Sequence, residues 1–199
     1  AEVTKDQYAA FLAVSPSPKD IHDRCSFAKD NTPKCGWPIT DDGKRPVVCV
    51  NWCSAAAYCA WAGKHLCGDL GGGATPPADR NDPAKNEWYR ACAGPGKQAY
   101  PYGDKETPGL CNGAGSTKTW DGATSTCKSS LYPGLVDMSG NVDEWVNSCD
   151  PIQDGVPPYN DNCQTRGGGV FFGASPCSSS EATQSRSTSS SSIGIRCCR

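Results

Sequence analysis

The stretch LVDMSGNVDEW, Leu135 to Trp145, sets a Gly-Asn pair beside two adjacent acids and a tryptophan. Those residue types could perform acid–base catalysis, hold a metal ion, or tie down a loop. Catalysis by paired carboxylates needs both acids on one substrate cleft. Asp143 and Glu144 are neighbours in sequence, so their side chains are expected to point apart. A serine nucleophile is poorly supported: Ser139 precedes Gly140, but no histidine lies near it in sequence. Gly71-Gly72-Gly73 lacks the following Lys and Ser/Thr of a phosphate loop. For zinc, Cys49-x3-Cys53 has ligand-like spacing, but CxxC is absent and the chain has only His22 and His65.

Cysteine chemistry points elsewhere. The 14 Cys, an even number against one Met, indicate an oxidising compartment and up to seven disulfides. Sequence proximity pairs Cys25 with Cys35, Cys111 with Cys127 and Cys149 with Cys163. The implied location is extracellular, periplasmic or at a cell surface. A net charge of -2 over 199 residues gives no basic footprint for nucleic acid. No apolar run approaches the ~20 residues of a membrane helix.

The elements that must position these residues are few. Thr4 and Gln7 form a capping box, followed by Tyr8, Phe11 and Leu12 on one helical stripe. A second helix runs from Ser54 to Gly63, with Ala55, Tyr58, Cys59 and Ala62 on one face. A third follows Asp82-Pro83, its inner face Ala84, Trp88, Ala91 and Cys92. Short strands are expected at Pro46–Val50, Val170–Phe172 and Ile193–Arg196. Long loops rich in Gly, Pro, Asn and Asp separate them, and Cys25–Trp37 and Cys149–Cys163 read as stapled loops. The Ser-rich run Ser178–Ser192 reads as a loop within the domain, because an apolar strand and two Cys follow it. No repeat or linker divides the chain, which gives one α+β domain over residues 1–199.

The segments PVVCVNWCSAAAYCAWAGKHL, NEWYRACAG, YPYGD, CNG, GLVDMSGNVDEW, RGGG and IGIRCC occur in that order. In this combination the chain resembles the formylglycine-generating enzyme family, also called the sulfatase-modifying factor domain, from Glu2-Val3-Thr4 to Cys197. The resemblance implies a C-type lectin-like fold with little regular structure. It implies a calcium site at Asn141 and Glu144, and a second at Asn112-Gly113 and Asp121-Gly122; hard Ca²⁺ suits such oxygen donors. Trp145 is then core, and Asp143, in place of a common aromatic, a solvated acid. The resemblance also implies the bridges Cys59–Cys197 and Cys92–Cys177, leaving Cys49, Cys53, Cys67 and Cys198 for two more.

The family's enzymes oxidise a substrate cysteine with copper and O₂, using two cysteines after the RGGS strand. Counted from the Gly pair, the first falls on Phe172 and the second on Cys177. This segment is shorter than in the enzymes, so Cys177 also reads as the family's structural cysteine, whose partner on the third helix is Cys92. A disulfide-rich domain favours that reading. Phe172 offers no thiolate for Cu(I). The expected function is therefore a secreted or surface-displayed, non-catalytic module that binds a protein, peptide or glycan or has a structural role. Its recognition surface would be the loop Phe172–Ser192. The alternatives are a copper-dependent oxidoreductase retaining Cys177, and a subunit of a self-assembling filament or surface layer. The last follows because family domains usually carry a strand before the E-V-T stretch; without it a sheet edge could accept another copy.

Overall fold

Thr4 starts the first helix as its capping box requires. Its hydroxyl accepts from Gln7 N at 3.2 Å, and Gln7 Oε1 accepts from Thr4 N at 3.0 Å. The computed structural model describes residues 1–14, 17–122, 125–150, 153–171, 173–179 and 183–199. Helix α1 (Lys5–Val14) buries Tyr8 and Phe11 against Tyr58 of α2 (Trp52–Trp61), with ring centroids 5.5 and 5.6 Å apart. Asn51 caps α2, its Oδ1 accepting from Ser54 N at 2.9 Å, so this helix starts before Ser54.

The third helix, α3 (Glu87–Ala93), does not start at Asp82-Pro83. Asp82 spends its carbonyl on the amides of Lys85 and Asn86 in a separate turn. Asn86 then caps α3 through Tyr89 N at 2.6 Å.

The longer strands lie where the sequence is polar. β1 (His65–Leu66) pairs antiparallel with β6 (Cys197–Cys198). A four-stranded sheet runs β4 (Thr183–Ser185), β3 (Asn162–Arg166), β2 (Asp143–Cys149), β5 (Ile193–Ile195). β2 and β5 are parallel; the other neighbours are antiparallel. The Ser-rich run therefore contributes a strand to the domain. Pro46–Val50 forms no strand: Val47 N reaches Val3 O, but Cys49 takes φ 61, outside any ladder geometry. Val170 and Phe171 form a turn, and Phe172 lies outside the described residues.

All fourteen cysteines are bridged. The structure contains Cys59–Cys197, Cys92–Cys177, Cys111–Cys127 and Cys149–Cys163, together with Cys67–Cys198. The pairing of Cys25 with Cys35 is corrected. Cys25 is fully buried against α2 and bonds Cys53, whereas the exposed Cys35 bonds Cys49, beside which Lys34 N donates to Cys49 O at 2.9 Å. The loop is thus stapled at both ends to the core instead of closing on itself. Among the described residues no helix is long and apolar enough to cross a membrane.

Candidate functional site

Gly140 and Asn141 both occupy the left-handed region, at φ 81 and 68. A Cβ on Gly140 would stand 2.4 Å from Asn112 O, so only glycine fits. The turn aims the fully buried Asn141 side chain at three chain segments. Its Oδ1 accepts from Asn112 Nδ2 at 2.9 Å and Trp120 N at 2.7 Å, and its Nδ2 donates to Glu2 Oε2 at 2.5 Å. The Gly-Asn pair is therefore a hub between the N-terminal segment, the 112–120 loop and β2.

Three residues on, Glu144 is fully buried in β2. Strand alternation sends Asp143 and Glu144 to opposite faces. The Glu144 carboxylate accepts from Arg196 Nε at 2.8 and 2.9 Å and from Trp88 Nε1 at 2.7 Å. Arg196 Nη2 reaches Glu144 Oε1 at 2.7 Å and also donates to the carbonyls of Val136 and Asp137. A guanidinium thus holds the place a cation would take. Glu144 does not fit a calcium ligand set, and the Oδ1 of Asn141 is committed to amide donors. Asp143 is also corrected: it is buried, not solvated, because β2 is an inner strand whose Asp143 N donates to Ser192 O. Trp145 is fully buried core, its Nε1 on Val50 O.

Glu2 and Asp137 join Glu144 around Arg196. Burial, then the charges of Glu144 and Asp137, push the Glu2 carboxyl well above its ordinary value. Burial likewise raises Asp137 to about 6, against a hydrogen bond from Ser125 that favours its charged form. Burial opposes the charge on Arg196, yet Glu144 outweighs it and raises the guanidinium's pKa.

The sign of the linkage follows from these directions. A carboxyl raised in the folded state binds more protons there than in the unfolded chain, so its favourable contribution holds below about pH 4 and is lost as pH rises through 6. For Asp137 the difference is ~3 kcal/mol. Asp137→Asn, which keeps an acceptor for Ser125, should raise the melting temperature at pH 8 and leave it nearly unchanged at pH 4. Asp161 works oppositely: its hydrogen bond from Arg24 lowers its pKa, so that contribution is lost as pH falls below about 4. Thermal melts of both proteins across pH 4–8 check this; equal shifts at both ends would contradict it.

The second calcium expectation fares differently. Asn112 is buried, and its Oδ1 has no hydrogen-bond donor among the described residues. An orphaned buried amide oxygen is a donor that suits a hard cation. Asn112 also lines a cleft of about 440 Å³ with Thr107, Ser116, Trp120, Gly173 and Ala174. The cleft stands at the end of the RGGG segment, where the resemblance places the catalytic cysteines. Cys177 is fully buried and bonded to Cys92. It carries no thiol, and nothing is described at Phe172. Among the described residues, no group of three or more His, Cys, Asp or Glu is placed to share a metal ion.

The sequence pointed to Asn141, Glu144 and Asn112 but missed Arg196, Trp88 and Glu2 as their partners. Glu2 and Arg196 stood in the motifs EVT and IGIRCC, so the signal available was two buried-type motifs of opposite charge.

Comparison with known proteins places this geometry. The profile of the sulfatase-modifying factor enzyme 1-like domain matches residues 1–199. The inactive C-alpha-formylglycine-generating enzyme 2 of Bos taurus is 35% identical over 114 residues, 52% of this chain and 33% of that protein. The formylglycine-generating enzyme of Thermomonospora curvata is 33% identical over 126 residues, 55% of this chain and 35% of its own. That of Mycobacterium tuberculosis is 28% identical over 194 residues, 80% of this chain and 58% of the enzyme. The chain thus matches about a third of the length of the first two relatives. Among solved structures, CarF superposes with TM-score 0.60 at 23% identity, covering 98% of this chain and 82% of CarF. PvdO from Pseudomonas aeruginosa gives 0.59 at 15%, covering 98% of this chain and 76% of PvdO. These two likenesses establish the α+β fold, and the bridges above make it disulfide-rich. With the family profile matching from end to end, the chain belongs to the sulfatase-modifying factor enzyme 1-like domain family.

Proposed function

We propose that this domain is a non-catalytic binding module of the family, working outside the cell or in a secretory lumen. The observation that carries the reading is that every cysteine is bridged, Cys177 to Cys92 among them, so no thiolate pair is left to hold copper. A disulfide sulfur is a poor Cu(I) ligand where a thiolate is required. The same bridge ties α3 to the segment leaving the cleft, so it has a structural use. Seven disulfides and no free cysteine suit an oxidising compartment. The name of the bovine relative, inactive C-alpha-formylglycine-generating enzyme 2, agrees with a family branch that keeps the scaffold without the chemistry. A thiol count on the denatured, unreduced chain should return zero, and the native protein should not retain Cu(I) against a chelator. A free thiol together with retained copper would overturn the proposal and favour the copper oxidoreductase.

Calcium belongs to the same proposal, at Asn112 and Asp121 and not at Glu144. Binding only the folded state at a hundredfold over Kd, Ca²⁺ would add about 2.7 kcal/mol. For a chain of this size that is roughly 5–10 °C in Tm. Calorimetry with calcium and with chelator should show this rise in the native chain and none in Asn112→Ala. Magnesium should do less, because the loop carbonyls suit the larger ion. An unchanged Tm would remove calcium from the account.

A further inference from the structure

Two sequence features lie outside the Asn112 cleft: the Cys25–Trp37 loop and the Ser-rich run. They meet. A second cleft, about 470 Å³, is lined by Phe27, Lys29, Lys34, Asn51, Ser187 and Ser189, with Asp30 beside them. Its walls are fixed. Cys25–Cys53 and Cys35–Cys49 pin one wall at both ends, and Tyr8 donates its hydroxyl to Asn31 O within it. The other wall is held by Ser187 N and Oγ, both donating to Tyr159 O, and by Cys49 N on Ser190 O.

The groups facing this cleft are only partly used by the protein. Asn51 is 9% exposed, and its Oδ1 is spent capping α2. Its Nδ2 has no acceptor among the described residues, yet it lines the open cleft. Lys29 makes no ion pair and Ser189 Oγ no hydrogen bond among those residues, and Lys34 reaches Asp30 only at 3.5 Å. Two ammonium groups against one carboxylate leave the lining net positive on a chain of net charge -2. Phe27 supplies an aromatic wall, with the half-exposed Tyr159 edge-on at 6.3 Å.

We infer that this cleft binds an acidic saccharide. Hydroxyl, amide and ammonium donors beside an aromatic face match a sugar's ring and hydroxyls. The surplus positive charge matches a carboxylate or sulfate on it. Recognition draws on Asn51 Nδ2, Lys29 and Ser189 as free donors and Asp30 as acceptor from a ring hydroxyl. Rigid walls spare most of the ordering cost of binding. The inference rests on the binding-module reading and deepens it. The two fail separately: aldehyde formation removes the module reading, whereas absent saccharide binding removes only this site.

The test is calorimetric titration of the intact, unreduced domain at low salt. The probes are tetragalacturonate, its carboxyl-reduced neutral counterpart, and a sulfated tetrasaccharide. One acidic probe should bind saturably, and at least tenfold more tightly than the neutral one. The uronate and sulfate arms decide which anion is preferred. Lys29→Gln and Asn51→Asp should each weaken binding five- to thirtyfold, the latter keeping the oxygen that caps α2. Glu106→Gln, in the other cleft, should leave it unchanged. No saturable binding of either acid, equal binding of the neutral sugar, or indifference to both variants would overturn the assignment.

Discussion

Arg196→Met should destabilise the domain by about 3–5 kcal/mol, because it strands the Glu144 carboxylate in the core without its counter-charge. Glu144 is fully buried and Arg196 is 3% exposed, so water cannot take over either role. With Arg196 gone, Trp88 Nε1 alone would serve the carboxylate, and the carbonyls of Val136 and Asp137 would lose their donor. The double variant Arg196→Met with Glu144→Gln should recover at least half of the loss. A neutral glutamine removes the stranded charge and still accepts from Trp88. The single and double variants, unfolded in denaturant, form the cycle that reads this coupling. Additive losses would show that Glu144 and Arg196 do not act as a pair.

The second large effect concerns the longest covalent loop. Cys59–Cys197 spans 138 residues and Cys149–Cys163 spans 14. By loop entropy, replacing both cysteines of the first with alanine should cost about 5 kcal/mol, and of the second about 3 kcal/mol. Cys59 and Cys163 are both fully buried, so the packing losses are comparable and loop length makes the difference. Denaturation of each double variant, in a background whose Cys67–Cys198 and Cys92–Cys177 cysteines are also replaced because either bridge would shorten the first loop, checks the order. Equal losses would mean that the bridges act through the folded state and not through the unfolded chain.

These two effects show which parts of the molecule the sequence could disclose. The Thr4 capping box was legible because Thr4 and Gln7 are three residues apart and need nothing else. Strand β5 was legible from its apolar Ile193 and Ile195. β2 and β3 were not, because DEWVNSC and NCQTR are polar strands buried on inner positions, where hydrophobic alternation gives no signal. Pro46–Val50 had the composition of a strand, but the amides of Val47 and Cys49 donate to the carbonyls of Val3 and Ser190, reached without a ladder. The Cys25 pairing went wrong for a related reason. Closeness in sequence favours Cys35, but burial against α2 brings Cys53 to it instead. At the site, Asn141 and Glu144 were visible as residues, while their roles depended on partners 139 and 52 positions away. No local pattern could show that Arg196 stands where a cation was expected.

The central claim is that the family scaffold here has lost the family's chemistry. The most direct measurement incubates the domain, untreated and after mild reduction, with copper, O₂ and a cysteine-containing peptide of sulfatase type, and assays the peptide for aldehyde. With Cys177 bonded to Cys92 the account predicts no aldehyde above the enzyme-free control in either sample. Turnover that disappears in Cys177→Ser would contradict it.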